Sequence, residues 1–494
     1  MAGNPFLQWM QALGQPGDAM KTWEEWLSGQ LEKVSRNEAF LGQMGRILGD
    51  SFQVKAQMDR LMEQSLRGLR AARRATSRGL HKRLDALERP AGRSGGGGTR
   101  RRHRAGSPAR RPGGSHRRGG GAGRGPGGPE VPRPPQEARG RVRRRAMQQV
   151  ALAVKDAVAR LVPAEIRGVD KETGHLPYEV VSTRGSMQVL YFAPRGEVRH
   201  KTPIVFAYSL INRWYILDFM PGRSLIEHLT GQGHPCYVID WGVPGVAERH
   251  KTWADYAVRL IDHAMRTACT REGVDQAHLY GYCMGGTLAL CYAALRPARV
   301  KSFVAMATPV DFHDEGLLSL WTRPENFDAD KLVEAYGNVP TWLMESGFRF
   351  LNPVANQSKW RSLWENRDEP GFAETWRRME KWSSDNVPFP GEVYRQYIRD
   401  CYQNNTFLRG EMMADGERVD HRGYTGPLLL VLASKDHIVP RASALALCDV
   451  TGSTDVKVLE FPAGHIGLST SSKGPRTYWP QISDWLVEKG EPAA

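Results

Sequence analysis

The sequence predicts an α/β protein: a mostly parallel sheet with helices on both faces, a helical cap inserted near the carboxyl edge of the strands, and a helical arm and linker in front. Three observations carry this. From about residue 146 onward, short apolar runs alternate with helical stretches. Between Asp311 and about Gly426 a Trp-rich, mostly helical interval breaks that rhythm and is too long for a loop. Residues 91–145 change composition abruptly.

Residues 1–90 read as helices. Trp23, Leu27, Leu31 and Val34 recur at helical spacing, and Met58, Leu61, Met62, Leu66 and Leu69 repeat the pattern. Two short amphipathic helices make a poor core alone, so such stripes need a surface to lie against: the rest of the chain, a partner helix or an apolar surface. Residues 91–145 hold 16 Arg, 16 Gly, no Lys and only two acids, Glu130 and Glu137. With no aromatic residue, this stretch buries too little apolar area to offset ordering entropy and reads as a disordered linker. The absence of Phe, Tyr and Trp also removes the stacking that single-stranded nucleic acid favours, so no nucleic-acid partner is expected. The linker carries nearly all of the formal +15 of the 494-residue chain, which leaves the remainder close to neutral.

The core is expected in two parts, 146–310 and 427–494, around the cap at 311–426. Its strands read as Pro203–Leu210, Cys236–Trp241, Ala277–Tyr282, Val300–Thr308, Pro427–Ala433 and Val456–Phe461, short and partly β-branched between turn residues. Helical patterns fall between them at Arg223–Thr230, Trp253–Thr270, Met284–Leu295, Arg441–Val450 and Tyr478–Lys489. No apolar run reaches the length of a transmembrane helix. The start, MAGNPFLQWMQAL, lacks the pattern of a secretory signal. Six scattered cysteines without CxxC spacing point to neither a disulfide framework nor a metal site, so a reducing cytoplasm is expected.

The chemistry starts at LYGYCMGGT, residues 279–287, where a predicted strand gives way to a predicted helix. Gly281 and Gly285 flank Cys283 as small residues flank the nucleophile of a sharp strand-to-helix elbow, and the helix amino end favours an anion there. A base and an orienting carboxylate are then needed. LLLVLASKDHIVP offers Asp436 just past the next-to-last strand, and VLEFPAGHIGLS offers His465 just past the last. Cys283, Asp436, His465 is the chain order of an α/β-hydrolase triad. The alternatives are an Asx turn for Asp436 and a surface or capping histidine for His465. The oxyanion would be met by the N–H of Met284 and, by position, of Ile211, whose segment lacks HGGG-type glycines. His437 and Asp240 are substrate-pocket candidates, with pocket-wall and turn roles as their plainer readings. A thiol nucleophile meeting a thioester keeps the acyl group activated for a second transfer. This suits an acyltransferase that excludes water, whereas admitting water makes a thioesterase or lactone hydrolase.

GYCMGG, INRWYILDF, ATPVDF, WSSDNVPFPGEVYRQYIRDCYQNN, KDHIVP and GHIG together resemble the polyhydroxyalkanoate synthases, over roughly residues 150–490. The catalytic portion is most similar to the short catalytic subunit of the two-subunit synthases, and residues 1–90 resemble the end of their helical partner. The resemblance implies that Cys283 takes the acyl group of an (R)-3-hydroxyacyl-CoA and holds the growing polyester. His465 would deprotonate the thiol, and Asp436 would orient His465 or help activate the incoming 3-hydroxyl. It implies no metal or redox cofactor, CoA as product, a homodimer at the surface of cytoplasmic polymer granules, and a separate helical subunit as a possible partner. Two other hypotheses stand beside it: a cysteine α/β-hydrolase, and a granule or nucleic-acid scaffold that works through its Arg/Gly segment.

Overall fold

Eight strands form one sheet. The computed structural model describes residues 29–30, 33–58, 60, 174–351, 359, 362–366 and 368–493, all within the unit Met1–Arg60 with Gly168–Ala494. The linker 91–145 and most of the apolar positions singled out in the arm lie outside the described residues.

The arm contributes helix α1, residues 38–58. The sheet opens with β1 (Glu179–Arg184) and β2 (Met187–Phe192), an antiparallel hairpin turned at Gly185 and Ser186, with φ of 65° at Gly185. The sequence pattern did not show these two strands. The polar β1 exposes most of its residues at the sheet edge, and a bulge between Val180 and Ser182 breaks the alternation a strand is read from. Then come β3 (Ile204–Ala207), α2 (Leu225–Gly231), β4 (Cys236–Asp240), α3 (Ile261–Glu272), β5 (Ala277–Tyr282), α4 (Met284–Leu295) and β6 (Val300–Met306). The cap follows, with α5 (Ala329–Tyr336), α6 (Phe372–Ser384) and a small hairpin, β7 (Met413–Ala414) and β8 (Glu417–Arg418). β9 (Leu428–Ala433), β10 (Val456–Phe461) and α7 (Trp479–Lys489) complete the chain.

β2 pairs antiparallel with β4, and every later pairing in the sheet is parallel. Strands β3, β5 and β9 are buried along their whole length, as continuous apolar runs covered on both faces must be. Helix α4 is buried from Met284 to Ala294 and has no polar face. The predicted helix Trp253–Thr270 is a π-helical segment, Asp255–Leu260, running into α3, which ends at Gly273 in the left-handed region with φ of 65°.

The chain reverses its direction across the sheet at β3, since β4 lies on one side of it and β5 on the other. In an open parallel sheet, a crevice forms at such a reversal beyond the carboxyl ends of the strands. The loops after β3, β5, β9 and β10 all leave at that edge.

Candidate active site

Cys283 sits between β5 and α4 with φ of 56° and ψ of −134°, a strained conformation for a residue carrying a side chain. Its N–H is held by the Met306 carbonyl (2.9 Å) and its carbonyl by the Gly286 N–H (2.8 Å). The neighbouring glycines are dictated by contact. A Cβ on Gly281 would lie 2.5 Å from the Gly286 Cα, one on Gly285 would lie 2.5 Å from the Tyr208 Cα, and one on Gly286 would strike the Thr308 hydroxyl. The elbow is thus wedged between the segments that follow β3 and β6, and its side chain is left half-buried at the sheet edge.

The other two triad candidates meet it there. His465 Nδ1 and Asp436 Oδ2 are 2.7 Å apart, with side chains only 6% and 2% exposed, and the imidazole also hydrogen-bonds the Cys283 thiol. Burial alone would lower the His465 pKa, but the Cys283 charge and the hydrogen bonds to Asp436 and Cys283 raise it to about 10. Asp436 makes the contacts of both readings weighed for it. Its Oδ1 accepts the N–H groups of Ile438 (2.8 Å) and Val439 (2.9 Å) in an Asx turn, while Oδ2 takes His465. The Tyr282 hydroxyl donates to the His465 carbonyl (3.0 Å), and the two rings stack 5.5 Å apart.

Met284 is the first residue of α4, directly after Cys283. Ile211 lies in the loop after β3, buried, with its carbonyl accepting the Val387 N–H from the cap (3.1 Å). Asp240 serves a turn: its Oδ1 accepts the Gly242 N–H (2.9 Å). His437 is exposed beside Asp436 and lines, with Phe312, Tyr402 and Pro440, a gap of about 10 Å³. Among the described residues no group of three or more His, Cys, Asp or Glu could hold a metal ion.

Two family patterns match the chain: the alpha/beta hydrolase fold over residues 202–471, and the N-terminus of poly-beta-hydroxybutyrate polymerase over residues 145–229. Poly(3-hydroxyalkanoate) polymerase subunit PhaC of Haloferax mediterranei is 37% identical over 71% of this chain and 71% of its own length. The subunit of the same name from Allochromatium vinosum is 38% identical over 64% of this chain and 90% of its own. The chain belongs to the poly(3-hydroxyalkanoate) polymerase family. A third member, from Synechocystis, is 36% identical over 65% of this chain and 86% of its own length. The arm precedes both matched family regions.

The segments quoted above for the synthase resemblance prove to be contact partners. INRWYILDF, in the loop after β3, is stapled to WSSDNVP of the cap. Trp382 Nε1 donates to the Arg213 carbonyl (2.9 Å), Asn212 Nδ2 to Asn386 Oδ1 (2.7 Å) and the Tyr215 hydroxyl to Asp385 (2.9 Å). ATPVDF supplies Thr308 beneath Gly286 and Phe312 against Tyr397 and Tyr402. Tyr397 and Tyr402, on the π-helical turn Tyr397–Gln403, share a hydrogen bond and lie close enough to Cys283 to sense its charge. Asn405, buried with φ of 48°, clamps the start of the cap by donating to Asp311 (2.8 Å) and accepting the Phe312 N–H (3.2 Å). These cap residues lie inside the segment WSSDNVPFPGEVYRQYIRDCYQNN, where no spacing or motif marks them for a role. A π-helical turn inside a helical run, common at functional sites, leaves no periodicity signal that marks it.

Proposed function

We propose that this chain is a synthase that polymerises (R)-3-hydroxyacyl-CoA, with short 3-hydroxybutyryl units as the preferred monomer, through a thioester on Cys283. The observation that carries the reading is the buried Asp436–His465 pair aimed at a cysteine on a hydrolase elbow. A raised His465 pKa is what a base needs if it is to hold the proton given up by the nucleophile.

His465 Nε2 takes the proton from Cys283 Sγ, and the sulfur attacks the acyl carbonyl. The N–H groups of Met284 and Ile211 stabilise the oxyanion. As the tetrahedral species collapses, the C–S bond to CoA breaks and the CoA sulfur leaves with the proton from His465. The acyl group, still a thioester, passes from Cys283 Sγ to the 3-hydroxyl of the next unit: the Sγ–acyl bond breaks as the ester bond forms, and the hydroxyl proton taken by His465 restores the Cys283–His465 pair for the next transfer. Asp436 has one oxygen engaged in its turn and the other on His465, which supports orientation of His465 over direct activation of the hydroxyl. The cycle uses no metal or redox group, and CoA is a product.

The cap supports water exclusion, because the rings of Tyr397 and Tyr402 on its π-helical turn meet edge-on near enough to Cys283 to sense its charge. The working form is a homodimer on cytoplasmic polymer granules, with a separate helical subunit as a possible further partner. No helix among the described residues is long and apolar enough to cross a membrane.

Incubation with (R)-3-hydroxybutyryl-CoA tests the reading. CoA release accompanied by polymer supports it, while free 3-hydroxybutyrate as the sole acyl product replaces it with a cysteine hydrolase at the same site.

A further inference from the structure

Helix α1 is far from the sheet in sequence, yet it is docked on the cap. Phe52 and Ala56 are buried, and Phe52 packs edge-on to Tyr336 of α5, with ring centroids 6.0 Å apart. Lys55 donates to the Ala335 carbonyl (3.0 Å) and lies over the Tyr336 ring. Arg60 pairs with Glu334, Arg36 donates to the Glu315 carbonyl (3.0 Å), and Trp321 Nε1 donates back to the Ser35 carbonyl (2.9 Å). The closest approach is at Gly45, where any Cβ would strike the Asn326 carbonyl. Only glycine lets the helix lie this near the turn 322–327.

That turn is held from a second direction. Gln403 Nε2 donates to the carbonyls of Thr322 (3.1 Å) and Phe327 (3.0 Å). Gln403 ends the π-helical turn that carries Tyr397 and Tyr402, whose rings meet edge-on 5.3 Å apart beside Cys283. A continuous set of contacts thus joins Gly45, the turn 322–327, Gln403 and the π-helical turn that carries Tyr397 and Tyr402.

We propose that α1 is an intramolecular brace for the cap: it fixes the turn 322–327, and Gln403, as a positioning residue, passes that constraint to Tyr397 and Tyr402 near Cys283. The inference rests on the synthase reading only for the activity it modulates. Coupling through a packed chain of this kind changes rates by about tenfold.

The test uses the full chain with Gly45→Leu, with Phe52→Ser as a second way to undock α1, and with Gln403→Glu, which replaces the donor amide by a carboxylate facing two carbonyls. Hydrogen exchange, the alkylation rate of Cys283 and the kcat and KM for CoA release are read for each. The brace predicts faster exchange over residues 38–58 in the two arm variants. In all three variants it predicts faster exchange over 322–327 and 397–403, altered Cys283 alkylation and a fall in kcat of about tenfold with a smaller change in KM, while β3 to β9 exchange as in the wild type. Undocking of α1 with unchanged exchange over 397–403 and unchanged kcat overturns it. So does a loss of kcat in Gly45→Leu and Phe52→Ser without any change over 397–403. If the wild type makes no polymer, the synthase reading fails, but exchange and alkylation still decide the brace.

Discussion

Asp436→Asn separates the turn contacts of Asp436 from its contact with His465. The amide oxygen can still accept from Ile438 and Val439, so the turn is retained, but the charge facing His465 is lost. That pair is 2.7 Å long, with both side chains almost fully shielded. Without that charge the imidazole is left in the wrong tautomer and its protonated form unstabilised, which in a buried triad lowers the rate by about ten-thousandfold, so the acylation rate should fall by about that factor. The assay is rapid-quench measurement of the first CoA released from (R)-3-hydroxybutyryl-CoA, followed by elongation, with thermal unfolding as a control on the fold. If Asp436 orients His465, the first CoA is already slow. If the Asp436→Asn variant releases the first CoA at the wild-type rate and fails only in elongation, Asp436 acts on the incoming hydroxyl and the orientation argument is wrong.

Other outcomes follow from the same geometry. Cys283→Ser should retain slow acyl turnover and Cys283→Ala none, measured as CoA release; an acyl group found on the Cys283→Ala protein would show the nucleophile misassigned. Gly286→Ala places a methyl group against Thr308 and should lower stability by about 1–3 kcal/mol by overpacking, read as a shift in the denaturant midpoint. A second cluster, remote in the fold, sets acid stability. His234 and His278 are fully buried, and burial lowers their pKa values to about 2 and about 3. His200 stacks on His234 at 4.0 Å, Ser302 meets His278 Nδ1 at 2.7 Å, and Lys301 adds unfavourable charge. Both histidines stay neutral when folded but take up protons when unfolded below their ordinary pKa of about 6.5. Stability should therefore fall with pH from about 6.5 downward, by about 1.4 kcal/mol per pH unit for each, until the folded values are reached. Melting temperatures from pH 7 to pH 4 check this, and a His278→Asn variant should show the shallower slope; an identical slope would remove His278 from the account.

The sheet was legible because its buried strands are continuous apolar runs. The runs beginning at Pro203 and ending at Phe461 correspond to β3 through β10 without the cap hairpin. β1 and β2 escaped because an exposed, bulged edge strand carries no clean alternation. The triad candidates were legible because the elbow glycines and the residues just past β9 and β10 sit where backbone geometry fixes them. What lay beyond reach was tertiary. Nothing near Tyr402 in sequence says that its ring approaches Cys283, and Gly45 looks like any helical glycine until Asn326 is placed against it. The arm shows the same limit. The apolar stripe read at Val34 and Met58 is exposed at both of these positions, while docking uses Phe52 and Ala56, which the periodicity reading did not single out.

Covalent acyl transfer through Cys283 is the central claim, and mass spectrometry of the active-site peptide tests it most directly. The protein is quenched in acid after brief exposure to a 3-hydroxyacyl-CoA analogue lacking the 3-hydroxyl, so that the chain cannot grow. One acyl group is expected on the peptide containing Cys283, labile to hydroxylamine and absent from Cys283→Ala. An acyl group on another residue, or turnover with Cys283 never acylated, would contradict it.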